Sequence, residues 1–385
     1  MIMLILAAAS LACWAGVLLA PWAAWLCREH LEADTAPAQP NHDFTVLIPA
    51  RNEAAVIGET LHALAVAAPA ASVIVIDDQS SDATAKIARA SGLPNLQVIA
   101  GTPPPAGWTG KLWALQQGLE RVSTPRVLLL DADIRLAPGM LAPLQRKANE
   151  GNALVSLCAE PCRDGIAARW LLPAFVYFFK LLYPFALANR KGSRVAAAAG
   201  GVILIDRDAL IDAGGFTAWH DAIIDDCTLA AHVKRTGRRC WIGLTHGASS
   251  LRRTNCSAIV HMIARTAFVQ LRESLWLTLA ASALLILAFW VPVLALAFGA
   301  DATRVLGLLA CLALLAGYLP MLMFYRRNPL GALLLPLAAT FFLAATWYSA
   351  WRAITGTRSH WKGRRYQRGP RADGATAWHG ANRPH

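Results

Sequence analysis

The chain of 385 residues carries a formal net charge of +12 and is 56% hydrophobic. It is too long for one ordinary soluble domain and too apolar for two, which excludes a wholly water-soluble protein and places part of it in lipid.

Residues 1–27 hold no charged side chain and are long enough to cross a hydrocarbon core of about 30 Å. No Lys or Arg precedes this apolar run, so it is expected to be a transmembrane anchor and not a cleaved signal peptide. A globular region opens with "NHDFTVLIPARNEAAVIGETLHAL". Phe44 to Ile48 reads as a buried strand closed by Pro49, and Ala54 to Leu64 carries apolar residues at helical spacing.

Ala71 to Ile76 is the next expected strand and ends at two adjacent acids, Asp77 and Asp78. Ser81 or Asp82 can cap a helix over Ala83 to Ala90, and "LQVIA" at 96–100 is a third strand. The acid pair fits a solvated turn as well as a binding site. Strands alternating with helices imply a parallel sheet, in which ligands sit beyond the carboxyl ends of the strands. Pro49 to Glu53, Asp77 with Asp78, and the segment after Ala100 therefore share one rim.

"PPPAGWTGKLWALQQGL" contains a "GKL" but is not a P-loop, because Pro105 stands where Gly is needed and Leu112 where Ser or Thr is needed. Lys111 still falls at the N-terminal end of a predicted helix, where a cation and backbone N–H groups together favour a phosphate. A solvated surface lysine is the other reading. "RVLLLDADIR" is the fourth strand, and alternation along it predicts that Asp131 and Asp133 point the same way with small Ala132 between. Two carboxylates on one side suit a hard divalent cation.

The eight cysteines show no paired zinc spacing, Cys158 and Cys162 form a lone CxxxC, and isolated reduced thiols are expected in place of disulfides. "ARWLLPAFVYFFKLLYPFALANRK" at 168–191 is aromatic, with basic residues at its flanks and Lys180 inside. A buried core helix is one reading, and an element lying at the bilayer surface and presenting an acceptor is the other. "AIIDDCTLAAHVKRTG" starts a helix with Asp225 and Asp226, which either answer the helix dipole or supply a general base. Ser274 to Ala300, Val305 to Tyr325 and Asn328 to Trp351 are three further apolar runs.

In order and spacing, "VLIPARNE", "VIDDQSSDAT", "GWTGKLWAL", "LLLDADI", "AAGGVILIDRDALIDAGGF" and "IIDDCTLA" resemble an inverting family 2 glycosyltransferase over about residues 44–272. With the flanking spans and "HWKGRRY", the likeness is nearest to the hopanoid-biosynthesis-associated (HpnB-type) glycosyltransferases; ceramide glucosyltransferases are more distant. The resemblance implies an α/β fold of GT-A type, a doubly wound nucleotide-diphospho-sugar transferase domain with flanking transmembrane helices. It also implies a UDP-sugar donor, a divalent metal (Mg2+ or Mn2+) and a membrane lipid acceptor, possible hopanoid chemistry included. Nucleic acid is not an expected partner.

By the same resemblance Pro49, Arg51 and Glu53 line the nucleoside pocket, Asp78 reads the uracil ring and Lys111 faces the diphosphate. Asp133 touches the metal, Asp131 the metal-bound water or ribose, and Asp226 or Asp225 is the base. The family's Q-x-x-R-W signature is incomplete: Arg265 aligns with its Arg, but Met262 and Thr266 replace Gln and Trp. A single sugar transfer is therefore expected and polymerisation is not. A nucleotidyl- or phosphotransferase of lipid metabolism, or a non-catalytic scaffold in a lipid-synthesis complex, are the alternatives.

The expected organisation is an anchor at 1–27, a GT-A domain at 40–255, an interfacial helical segment at 256–273, a membrane domain at 274–351 and a basic tail at 352–385. Arg28 follows the first span, so the catalytic domain of this multi-pass inner-membrane protein is expected in the cytoplasm. The tail holds eight Lys or Arg against one Asp, which the positive-inside rule also keeps there. Reconciling the two predicts that Asn328 to Trp351 does not cross, with Pro329 and Pro336 breaking it into a hairpin, and that Trp361 and Lys362 meet the cytoplasmic headgroups.

Overall fold

The computed structural model describes residues 1–35 and 43–355, with two short paired strands at 360–361 and 364–365. Helix α1 (Ile2–Leu19) is followed by β1 (Phe44–Ala50), α2 (Ile57–Ala67), β2 (Ser72–Asp77), α3 (Thr84–Arg89), β3 (Leu96–Ala100) and α4 (Gly110–Leu119). Then come β4 (Arg126–Leu130), β5 (Ile134–Leu136), α5 (Leu141–Asn149), β6 (Asn152–Glu160), α6 (Ile166–Leu182) and α7 (Phe185–Ala188). The domain closes with β7 (Val202–Asp206), α8 (Arg207–Asp212), α9 (Asp225–Arg235) and β8 (Arg239–Ser250). Beyond it lie α10 (Cys256–Gln270), α11 (Leu275–Leu285), α12 (Val291–Phe298), α13 (Asp301–Phe324) and α14 (Leu335–Ile354).

The eight strands form one sheet in the order β3-β2-β1-β4-β7-β6-β8-β5. Strands β3, β2, β1 and β4 are parallel as expected, whereas β7 runs antiparallel between β4 and β6. The sheet is therefore mixed. Its central strands read as unbroken apolar runs because both faces are covered. Phe44, Val46 and Ile48 enter the core shared with α2 and α5, while Leu47 enters the core shared with α4 and α9. Val73 and Val75 separate from Ile74 and Ile76 in the same way. Pro49 does not end β1; it stays in register with Ile76, beyond the last residue of β1 paired with β4.

Four segments, Ile2–Leu19, Leu275–Phe298, Asp301–Phe324 and Pro329–Ile354, are long and apolar enough to cross a membrane. The first stops at Leu19, short of residue 27, in turns around Pro21. The expected hairpin over 328–351 is not what forms. Pro329 and Pro336 each sit in the first turn of their helical segment, where a missing N–H is tolerated, and α14 continues unbroken along α10. Apart from the two short strands, the basic tail beyond Thr355 lies outside the described residues, as does the surface placement expected for Trp361 and Lys362.

Helix α6 buries one face in the interior, although Ile166, Arg169 and Leu182 are exposed. Leu171, Ala174 and Tyr177 are fully buried in one apolar cluster with Trp14 of α1, Tyr318 of α13 and Phe342 of α14. Lys180 has no exposed surface; its ammonium donates to the Leu26 carbonyl at 2.7 Å and pairs with Glu29 at 3.1 Å. The aromatic run thus joins the sheet domain to the apolar helices from inside, since its ring area is matched by theirs.

Candidate active site

The antiparallel direction of β7 builds the site. Leu130 at the carboxyl end of β4 pairs with Val202 at the start of β7, so Gly200 and Gly201 arrive beside Asp131, whose N–H donates to the Gly201 carbonyl at 3.1 Å. Helix α4 starts at Gly110 and presents Lys111 to the same point, and α9 starts with Asp225 and Asp226. The Lys111 ammonium lies 3.0 Å from Asp131 and 3.1 Å from Asp225. Asp226 accepts the Gly200 N–H at 2.9 Å and the Cys227 N–H at 2.7 Å. Pro49, Lys111, Asp131, Asp225 and Asp226 line one cleft with Gly200.

A side chain at position 200 would place Cβ 3.2 Å from the Lys111 Nζ and 3.4 Å from an Asp226 oxygen. Glycine is what lets cation and carboxylates meet so closely. Burial alone would lower the Lys111 pKa, but Asp131, Asp225 and Asp226 together raise it, so the ammonium stays charged. Burial, then the charges of Asp133 and Asp225, raises Asp131 against the pull of Lys111. Burial and the charge of Asp225 push Asp226 up to about 6, although Lys111 and the two backbone N–H groups oppose them. A buried carboxylate titrating near neutrality is suited to accept a proton.

Asp131 and Asp133 do not share a strand face. β4 ends at Leu130 and the two acids sit in the turn before β5, so the alternation argument fails. Asp131 turns to Lys111, whereas one oxygen of Asp133 accepts from Ser250 at 2.8 Å and from Arg252 at 3.4 Å. Arg252 also donates to Glu53 at 2.8 Å, tying the segment after β8 to the loop after β1. Asp78 is 1% exposed, with Arg51 3.9 Å from its carboxylate and donating to its carbonyl. Arg265, expected from the resemblance to help stabilise the leaving diphosphate, instead lies on α10 and does not line the cleft, and its Nε is buried without a partner among the described residues.

Asp131 and Asp133 supply hard oxygen donors, and Asp133 is held in orientation by Ser250 and Arg252 through one oxygen, which fits a divalent cation on the other. Among the described residues no group of three or more His, Cys, Asp or Glu is gathered for a metal, so such an ion would draw its remaining ligands from phosphate oxygens and water. Sequence reasoning missed Arg252, whose only signal was the pair "RR" directly after the longest strand. Tyr183, at the end of the aromatic run, donates its hydroxyl to Gln270 at 2.8 Å and so ties α6 to α10.

A mixed sheet with a carboxylate–lysine cleft beyond β1 and β4 is the arrangement of a GT-A transferase domain. Residues 45–214, somewhat under half of the chain, match the family model described as glycosyl transferase family 2. Among curated proteins, a 4,4'-diaponeurosporenoate glycosyltransferase of Staphylococcus aureus (strain USA300) is 38% identical over 108 residues. The match covers 28% of this chain and 28% of that relative. The homologue of strain N315 is 39% identical over 95 residues, 24% of this chain and 25% of the relative. Among solved structures, a mannosyltransferase from Pyrobaculum calidifontis in complex with GDP-Man and Mn2+ aligns over 92% of this chain and 100% of its own at a TM-score of 0.56, with 20% identity. That likeness extends the shared fold through the apolar helices.

Proposed function

We propose that the protein is an inverting glycosyltransferase that moves one sugar from a nucleotide-diphospho-sugar, a UDP-sugar by the sequence resemblance, to a membrane lipid. The observation that carries this reading is Lys111 held between Asp131 and Asp225, with Asp226 fixed by two backbone N–H groups at the same cleft. Asp226 takes the proton of the acceptor hydroxyl as that oxygen attacks the anomeric carbon from the face opposite the diphosphate. Lys111 faces the departing diphosphate and offsets its growing charge. Asp225 holds Lys111 in place and raises the basicity of Asp226. Asp131 and Asp133 would hold a divalent cation, whose chemistry is to neutralise phosphate oxygens. Glu53 and Arg51 shape the nucleoside side of the rim with Asp78.

The apolar helices against α6 and the diaponeurosporenoate in the name of the Staphylococcus aureus relatives support a membrane acceptor, whereas a cytoplasmic sheet domain at the inner membrane rests on Arg28 following the first apolar span. A hopanoid acceptor rests on the sequence resemblance. No Ser, Thr or His lines the cleft among the described residues, so a phosphotransferase working there by a side-chain nucleophile would have to use one of its Asp carboxylates.

Membranes containing the protein, given a panel of radiolabelled nucleotide sugars and then extracted with organic solvent, test the reading. One donor should label the lipid phase in a manner lost in Asp226→Asn. A labelled phosphate in the lipid without labelled sugar would favour the phosphotransferase, and no label from any donor would favour the scaffold.

A further inference from the structure

Where α6 meets the end of α13, several hydrogen-bond donors are buried with nothing to donate to. Nε and Nη2 of Arg327 and the hydroxyls of Tyr318 and Tyr177 are all enclosed without a partner among the described residues. So is Nε1 of Trp170, two turns before Tyr177 on α6. Each such group forfeits about 1–3 kcal/mol, and native proteins keep few of them. The Arg327 and Trp170 atoms can only donate, so the missing partner is an acceptor.

The surrounding charge has the same sense. Burial, and then the neighbouring charges of Arg163 and Arg169, lower the Arg327 pKa, with Glu160 opposing them. Glu160 is already engaged by Arg163 at 2.6 Å, which leaves three guanidiniums around one carboxylate. The cluster stands at the turn between two segments long enough to span a membrane, with Met323 and Leu330 exposed on either side of it. It is also connected to the cleft. Asp164 pairs with Arg253 at 3.3 Å, and the adjacent Arg252 holds Asp133.

We infer that Arg327, flanked by Arg163 and Arg169, is a binding site for the anionic group, carboxylate or phosphate, of an amphiphile lying at the membrane face beside α6 and α13. The anionic oxygens neutralise the excess positive charge, and they reach the fork of Nε and Nη2, which has no accessible surface in this structure, by a shift of the side chains packed over it. Apolar chain lies against the exposed residues around the turn. The inference rests on the proposed lipid acceptor for the identity of the amphiphile but not for the site.

The test uses the full chain in phosphatidylcholine nanodiscs with cis-parinaric acid, a fluorescent carboxylate amphiphile, and its uncharged methyl ester. Wild type should bind the acid about tenfold more tightly than the ester, the scale of one charge-assisted hydrogen bond. Arg327→Gln should reduce the preference to about twofold or less. The exposed pair Arg163→Gln with Arg169→Gln, which poses little risk to folding, should weaken it in the same direction. Equal binding of acid and ester by wild type, or an unchanged preference in both variants, overturns the inference.

Repeating the titration in discs containing phosphatidylglycerol separates the sources. Loss of acid binding there assigns the site to a bilayer phosphate, and its persistence assigns it to the amphiphile's own carboxylate. Binding is read without turnover, so failure of this site and failure of the proposed transfer are different results.

Discussion

Replacing Asp226 by Asn separates the catalytic from the structural consequence of one carboxylate. In the native protein its pKa rises from 3.8 to about 6, so keeping it ionised at pH 7 costs at most about 3 kcal/mol, less with solvent screening. The sign follows from linkage: this cost is absent below pH 3.8, grows as pH rises through 6 and is complete above it. An amide removes the cost. It also turns one N–H toward the backbone donors of Gly200 or Cys227, losing a charge-assisted hydrogen bond of about 1.5–3 kcal/mol. The two nearly cancel, so thermal unfolding should move by only a few degrees, by about the same small amount at each pH above 7. Transfer of label to lipid should nevertheless fall by about 10²–10⁴-fold, the usual contribution of a positioned base, with donor affinity retained. In wild type, kcat/KM should decline as pH falls through about 6, where Asp226 takes up its proton. Transfer within about tenfold of wild type in Asp226→Asn, or the full loss appearing instead in Asp225→Asn, would refute this assignment.

Lys111→Met removes the cation that lowers the Asp226 pKa, so the acid limb of the pH profile should shift above 6 while turnover drops; an unmoved limb argues against their coupling. Gly200→Ala puts a methyl group 3.2 Å from the Lys111 Nζ, and should reduce transfer by about tenfold while circular dichroism and melting stay near wild type. Arg252→Gln unties Glu53 from Asp133; with Arg252 45% exposed the stability change should stay under about 1 kcal/mol, and the donor KM should rise in a titration of nucleotide sugar. Asp133→Asn should abolish transfer restored by Mn2+ after chelator treatment of wild type, whereas undiminished activity in chelator would remove the metal from the scheme.

The β–α alternation, the buried strands β1, β2 and β4 and the four long apolar segments were legible in the sequence, because each is a local pattern of side-chain period and length. So were the positions of Lys111 and the pair Asp225–Asp226 at helix starts, since helix ends are written in short-range chemistry. The hairpin expected at Pro329 and Pro336 failed because a proline's effect depends on its place in the first turn, which packing of α14 along α10 fixes. Alternation could not place Asp131 and Asp133, because where β4 ends is decided by its pairing with an antiparallel β7. The same pairing brings Gly200 to Lys111 and Asp226, some 90 and 26 positions away in the chain. No local rule joins residues at such separations. Arg252 joining Glu53 to Asp133, and the charges of Arg163 and Arg169 acting on Arg327, are likewise products of tertiary closure, which sets the distances on which charge and hydrogen bonding depend.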